Sequence, residues 1–351
     1  MIPIGPKPVL QYVIESLAVK GFDEIVVTTN YLEEQIENYF GDGSRFGVKI
    51  RYPREDKPLG TAGSVKNAEH FLDETFALIQ GDNITDIDIA QQLEHHKRKN
   101  ALATLGVIRV EEPWKYGVVK LTSEDRIAGF QEKPSPQQCH SNLINTGLYI
   151  FEPAVLDLIP RNKQVDFSKE VFPRLLEEGK ALYGYRATGF WTDVGSVEGY
   201  LEASAWILSK LSRSISQTAE IRGKVKGPVW IGDETVLEKG VTIQGPVYIE
   251  DSCRIRKDTS VGPNTILKKS VTVGEQSRLN GPSVFGFSEI HSRVKLGNCI
   301  LDEHCEIGSG TRIEKFAIIG AGCRIGNGAF IGPGVKLELG TKVEKEKVIK
   351  T

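Results

Sequence analysis

The sequence predicts an α/β domain with a doubly wound, mostly parallel sheet, followed by a left-handed parallel β-helix. Three observations carry this. Up to about residue 211, short apolar runs alternate with amphipathic stretches; beyond residue 220 an aliphatic residue returns at every sixth position; and the switch between the patterns is abrupt. At 351 residues the chain is long enough for two domains at the usual ~100–200 residues each.

In the first part, Glu24–Thr29, Thr75–Gln80, Ala101–Val110 and Leu143–Phe151 read as buried strands, rich in Val, Ile, Leu and Thr and closed by Gly, Asn or Pro. Helical patterns separate them. Pro8 precedes Val9, Leu10, Val13, Ile14 and Leu17, which share one face at helical spacing, and Ile87–Lys97 and Val197–Leu211 behave likewise. Such alternation implies a doubly wound sheet with ligands at the carboxyl ends of its strands. The expected organisation is a catalytic-type domain over 1–211, a linker over 212–224 and a β-helix over 225–351.

In the second part, the aliphatic series runs from Val225 through Ile231, Leu237 and Ile243 to Leu279, breaks near 286–300, and resumes from Leu301 to Val343. A strict hexapeptide period is the signature of a solenoid whose three faces each bury one aliphatic ladder. Two positions before the aliphatic residue stand small or β-branched residues such as Thr235, Thr259, Cys305 and Thr311. The break is expected to be a loop leaving the prism.

A formal net charge of -2 gives no basic field, which argues against nucleic acid as a partner. No apolar stretch approaches the ~20 residues of a membrane span, and no signal peptide opens the chain. Five cysteines, an odd number without a CxxC pair, fit a reduced cytoplasmic protein with buried thiols.

Two aspartates end strand-like runs, Asp82 after Ile79-Gln80-Gly81 and Asp193 within Trp191-Thr192-Asp193-Val194-Gly195. Carboxylates so placed either hold Mg²⁺ beside substrate phosphates or cap a following helix. Six segments lie in one order: Pro58-Leu59-Gly60-Thr61-Ala62-Gly63, Gly81-Asp82-Asn83, Tyr116-Gly117-Val118-Val119, Phe130-Gln131-Glu132-Lys133-Pro134, Asn145-Thr146-Gly147-Leu148-Tyr149 and Phe190-Trp191-Thr192-Asp193-Val194-Gly195. Together they resemble the motifs of sugar-nucleotide pyrophosphorylases, nearest to the guanylyltransferases acting on mannose 1-phosphate. The resemblance implies transfer of a nucleotidyl group from a nucleoside triphosphate to a sugar 1-phosphate. It assigns Mg²⁺ to Asp82 and Asp193, the sugar phosphate to Lys133 and the nucleotide to Glu55, Gly60 and Thr61. Tyr116, Gly117, Glu132, Asn145 and Gly147 fall to the sugar, the two glycines through backbone amides that approach it closely.

Glu55 suits guanine, whose N1–H and 2-amino donors a carboxylate accepts together; alternatively it is one charge in the exposed run Arg54-Glu55-Asp56-Lys57. The stretch Asp166–Pro173 with Leu182-Tyr183-Gly184-Tyr185 is similar to mannose-1-phosphate guanylyltransferases, and mannose rests on that likeness alone. Thymidylyl or uridylyl transfer to glucose 1-phosphate stays open.

The chain departs from the family at its start. The family's Gly-rich phosphate loop and first strand precede the segment that Met1-Ile2-Pro3-Ile4-Gly5 resembles, and Lys7 in Gly5-Pro6-Lys7-Pro8 belongs to the later segment. A miscalled start or cut chain, a naturally shortened non-catalytic subunit, or another loop supplying the phosphate contacts would each explain this. The chain as written is expected to be weakly active or inactive and less stable than a full-length relative, with strand edges exposed. Two further readings differ in class: acyl transfer through His291 or His304 on the β-helix, and a regulatory or assembly subunit. The β-helix is expected to build a homo-oligomer.

Overall fold

The computed structural model describes residues 1–29 and 31–350, and the chain divides into two units. One comprises Met1 with Val9–Trp191, the other Ile2–Pro8 with Thr192–Thr351.

In the first unit, α1 (Val9–Val19) forms because Val9, Val13, Ile14 and Leu17 recur at helical spacing and are buried together. It is followed by β1 (Glu24–Val26), α2 (Glu33–Phe40), β2 (Lys49–Arg51), α3 (Gly60–Asn67) and β3 (Phe76–Ile79). Then come α4 (Ile89–Arg98), β4 (Ala103–Arg109), β5 (Gly117–Leu121), β6 (Ile127–Glu132), β7 (Leu143–Phe151), α5 (Phe172–Glu177) and β8 (Leu182–Arg186). Asp88 caps α4, accepting from the amides of Ala90 and Gln91.

β7 organises the sheet. It runs antiparallel to β4 along one side, and to β5 and β3 in succession along the other. β4 pairs parallel with β8, and β1 pairs parallel with β2 in a separate two-stranded sheet. The pairing directions are therefore mixed within the α/β architecture. Behind β7 an aromatic cluster fixes the following chain: Phe151 stacks on Phe167 at 5.1 Å, and Tyr149 meets Phe172 edge-on at 5.2 Å.

Among the described residues β1 pairs with β2 and β3 pairs with β7. Ile25, Ala77 and Ile79 all join the cluster built on Val13 and Leu17 of α1. Every residue of Phe76–Ile79 is apolar yet only half-buried.

In the second unit, α6 (Val197–Ser209) is capped by Ser196 through the amide of Gly199. The hairpin Pro3–Pro8 is tied down by Tyr200, whose hydroxyl donates to the Pro3 carbonyl at 2.9 Å, and by Lys268, whose Nζ donates to the Gly5 carbonyl at 3.0 Å. The rest is a parallel β-solenoid of three sheets with eight strands each. Its inward ladders run unbroken, as in Ile249, Leu267, Val284, Leu301 and Ile319.

Two expectations change here. The stretch 212–224 is no linker, since Ser214–Ile215 and Glu220–Ile221 already pair as rungs of the first coil; their rungs fall out of step with the hexads that follow. Nor does a loop leave the prism near 286–300. Val284, Ile290 and Leu296 are buried rungs, and the register is lost only because five residues, not six, separate Leu279 from Val284 and Leu296 from Leu301. His291 accordingly lies on a coil, directly after the rung Ile290.

The small and β-branched residues before the rungs turn out to be a hydrogen-bonding device. Thr235, Cys253, Ser288, Cys305 and Cys323 each donate to a corner carbonyl further along the chain. Thr259 donates to the Gly274 carbonyl at 2.8 Å and accepts from the Ser277 amide at 3.2 Å, wholly buried. Thr259→Val keeps the shape and strands both partners, so it should lower stability by about 1–3 kcal/mol, measured as a shifted urea midpoint of the solenoid. An unchanged midpoint would show that the ladder needs only small volume. All five cysteines are free thiols, four of them buried. No helix among the described residues is long and apolar enough to cross a membrane.

Candidate active site

The carboxyl ends of β3 and β6, the start of β5 and a bulge in β7 bring most of the sequence-predicted residues of the first unit into one neighbourhood. The β7 register shifts between Asn145 and Tyr149, and such a bulge re-aims side chains where a regular strand would not. Asn145 uses both ends of its amide, donating to the Tyr149 hydroxyl at 2.8 Å and accepting from the Gly147 N–H at 3.1 Å. The Thr146 carbonyl is held by Asn83 and by the Trp191 indole at 2.8 Å, and Trp191 meets the Tyr116 ring edge-on at 5.5 Å. Tyr116 thus lines this wall by packing on Trp191.

Gly117 is opposite. A Cβ there would stand 2.9 Å from Phe130, 3.2 Å from Glu132 Oε2 and 3.6 Å from Asn145 Cβ. Its bareness admits these three neighbours. Glu132 is exposed by area as a whole residue, but its carboxylate sits in this recess, and that desolvation raises its pKa; Asp166 adds to the rise, while Lys133 and Lys169 oppose it. Lys133 follows with φ at +42°, its N–H donating to the Tyr116 carbonyl at 3.1 Å. That bond fixes the backbone from which an exposed ammonium projects beside Glu132.

Gly147 is in the left-handed region at φ +74°, and its missing side chain is replaced by Gln80, whose Oε1 lies 2.7 Å from the would-be Cβ. Its amide is engaged by Asn145 rather than left open, so the close approach expected for a sugar is taken by protein groups.

The nucleotide-type segment is clamped to a distant stretch. Ala62 and Gly63 donate to the Val165 carbonyl, Val165 donates to the Leu59 carbonyl at 2.9 Å, and Gly60, at φ +72°, has no room for a Cβ because Val165 O would be 2.7 Å away. Thr61 donates to Asp166 Oδ2 at 2.9 Å and accepts from the Phe167 amide. Asp166 Oδ1 in turn caps the Phe167–Val171 turn. Thr61 and Gly60 therefore build the segment. Glu55 is different: one carboxylate oxygen accepts from the Leu59 amide at 3.3 Å, while the other is buried with no hydrogen-bond partner among the described residues. Arg54, Asp56 and Lys57 are exposed and Glu55 is half-buried, which separates it from the charged run around it.

Asp82 is exposed in the turn after β3. Asp193 belongs to the second unit, where its Oδ1 accepts from the Gly195 amide at 3.1 Å and its carbonyl packs against Gly199 at the start of α6. No group of three or more His, Cys, Asp or Glu suited to a metal occurs among the described residues. Single hard carboxylates suit Mg²⁺, which retains waters and substrate phosphate oxygens, and would not make a cage for a softer metal. Gln80 and Asp166 were not singled out by sequence; only the Asp-x-Ser pattern at 166–168 signals a capping role.

On the solenoid, His291 lies between Glu289 at 3.9 Å and Glu306 at 3.6 Å, and His304 stacks on Phe287 at 5.3 Å. Glu306 also faces Arg324. Both imidazoles have structural partners.

Comparisons with known proteins agree with this architecture. The family model described as Nucleotidyl transferase matches residues 1–210, and one described as the GMPPB C-terminal domain matches residues 243–335. The chain is 36% identical over 316 residues to a UTP–glucose-1-phosphate uridylyltransferase of Synechocystis sp., covering 82% of this chain and 81% of the relative. It is 32% identical over 287 residues to a mannose-1-phosphate guanylyltransferase of Mycobacterium tuberculosis, covering 81% and 73%. The crystal structure of HddC from Yersinia pseudotuberculosis superposes with a TM-score of 0.53 at 22% identity, over 59% of this chain and 88% of that one, a likeness of fold.

Proposed function

The chain belongs to the nucleotidyl transferase family, and from that premise we propose that it transfers a guanylyl group from GTP to mannose 1-phosphate, releasing pyrophosphate. The observation that carries the base is Glu55, a half-buried carboxylate with one oxygen tied to its own loop and the other buried without a donor among the described residues. Guanine offers two adjacent N–H donors to such a group, whereas uracil and thymine flank their single N–H with carbonyl oxygens that it repels.

The sugar 1-phosphate is the nucleophile. Its attacking oxygen is ionised near neutral pH, so the residues need only position and neutralise charge. Lys133 pairs with the sugar phosphate as a point charge, and Glu132 and Asn145 hydrogen-bond the hexose hydroxyls. Gly60, Thr61, Gly117 and Gly147 hold the walls, and Tyr116 packs beneath the sugar. Asp82 would hold Mg²⁺. That ion would supply neutralisation of the phosphate oxygens during in-line displacement. The flat sides of the solenoid suit homo-oligomer contacts.

A second reading, uridylyl transfer to glucose 1-phosphate, is favoured by the 36% identity to the Synechocystis enzyme. Glu55→Gln separates the two. On the guanylyl reading the variant loses about 10- to 100-fold in kcat/KM with GTP, the worth of a charge-assisted hydrogen bond, and gains relative use of UTP. Parallel initial rates with GTP, UTP and dTTP check this; a wild-type chain that prefers UTP, with Glu55→Gln indifferent, would favour the second reading.

A further inference from the structure

We propose that Gln80 binds a hexose hydroxyl and so sets sugar selectivity, a role that rests on the reading of Gly117, Glu132 and Asn145 as the sugar-facing wall. Gln80 ends the β3 run at the carboxyl edge of the sheet, where ligands of open α/β sheets bind. Its backbone is fixed on both sides: its N–H donates to the Gly147 carbonyl at 3.2 Å and its own carbonyl accepts from the Asn83 amide at 3.1 Å. The side chain then lies over Gly147, with Oε1, Cδ and Cγ at 2.7, 2.8 and 3.0 Å from the position a Cβ would take. A residue with a side chain at 147 would evict it, and φ +74° already disfavours one. The β7 bulge thus makes a seat for the Gln80 carboxamide beside Asn145.

That seat does not serve the protein's own hydrogen bonding. Gln80 is exposed, and its carboxamide makes no hydrogen bond with any described residue. Asn145, its neighbour across Gly147, commits one amide N–H to Tyr149 and one lone pair to Gly147, and so has half of its amide left for a ligand. Gln80 therefore presents a wholly uncommitted carboxamide on this wall. A carboxamide offers two N–H donors and a carbonyl in one plane, which matches a ring hydroxyl that both donates and accepts. Its neighbours assign it to the hexose, since the base-facing Glu55 belongs to the segment clamped on Val165.

The test is equilibrium binding of GDP-mannose and of GDP to the full chain and to Gln80→Leu, with UDP-glucose and UDP in parallel so that the base preference does not decide the outcome. Gln80→Leu keeps the bulk over Gly147 and removes the polar atoms. The sugar nucleotide should bind on the order of tenfold more weakly, the net worth of one or two hydrogen bonds, while the nucleoside diphosphate is unaffected. Equal weakening of GDP-mannose and GDP, or no weakening, overturns the proposal. Glu132→Gln distinguishes the two levels: if it weakens the sugar nucleotide and Gln80→Leu does not, Gln80 is excluded and the sugar wall stands. If the wild-type chain binds neither sugar nucleotide better than its diphosphate, the sugar wall itself is wrong.

Discussion

Lys133→Met should reduce nucleotidyl transfer to a sugar 1-phosphate about 10²- to 10³-fold, the range expected when one charged group facing developing phosphate charge is removed. Methionine keeps the stem and the backbone demand of φ +42° and removes only the ammonium. The backbone is held by the bond from the Lys133 amide to the Tyr116 carbonyl, so the loss should appear without a fall in thermal midpoint. A second signature follows from Glu132. Its pKa is raised by desolvation, and the Lys133 charge is among the influences pulling it back down. Removing that charge lets the pKa rise further, so Glu132 is protonated at a higher pH. The acid limb of KM for the sugar phosphate should therefore move upward in Lys133→Met. Unchanged turnover, or a loss that tracks reduced stability, would return Lys133 to an ordinary exposed turn residue.

Ile307→Ala should destabilise the solenoid by about 2–5 kcal/mol, the usual range for truncating a fully buried aliphatic side chain. Ile307 is 0% exposed and stands between Ile290 and Ile325 in an interior coil. A solenoid is held by nearest-neighbour contacts between coils, so a cavity there weakens two interfaces together. Ile349 is the contrast: among the described residues its ladder partner is Ile331 alone, and it is half-buried. Ile349→Ala should cost under about 1 kcal/mol, because one interface and less buried area are lost. Chemical denaturation of the two variants checks the difference. Equal effects would mean that the coils do not stack as one cooperative ladder.

The aliphatic ladders were legible because a rung must fall at a fixed place in every coil, and the sequence keeps that period over most of its length. It failed where one residue is missing from a corner, before Val284 and again before Leu301; a one-residue deletion shifts the register without removing the coil. The Thr, Ser and Cys positions were visible as small residues, but their hydrogen bonds reach carbonyls on the next coil, which no local pattern announces. In the first unit Glu132, Lys133 and Asn145 stood out as candidates from the segments they occupy, and Glu55 from its place five residues before Gly60. The purposes of the glycines were not legible. Gly60 makes room for Val165, Gly117 for Phe130 and Glu132, and Gly147 for Gln80, and each partner is set by tertiary packing. Asp166 escaped notice for the same reason, since it meets Thr61 across 105 residues of chain.

The most direct test is pyrophosphate release by the chain with Mg²⁺, GTP and mannose 1-phosphate, beside UTP with glucose 1-phosphate and beside Asp82→Asn. Guanylyl transfer at this site predicts release that requires both substrates, is faster with the guanosine pair and is abolished by Asp82→Asn. Release indifferent to Asp82, or confined to the uridine pair, would contradict it.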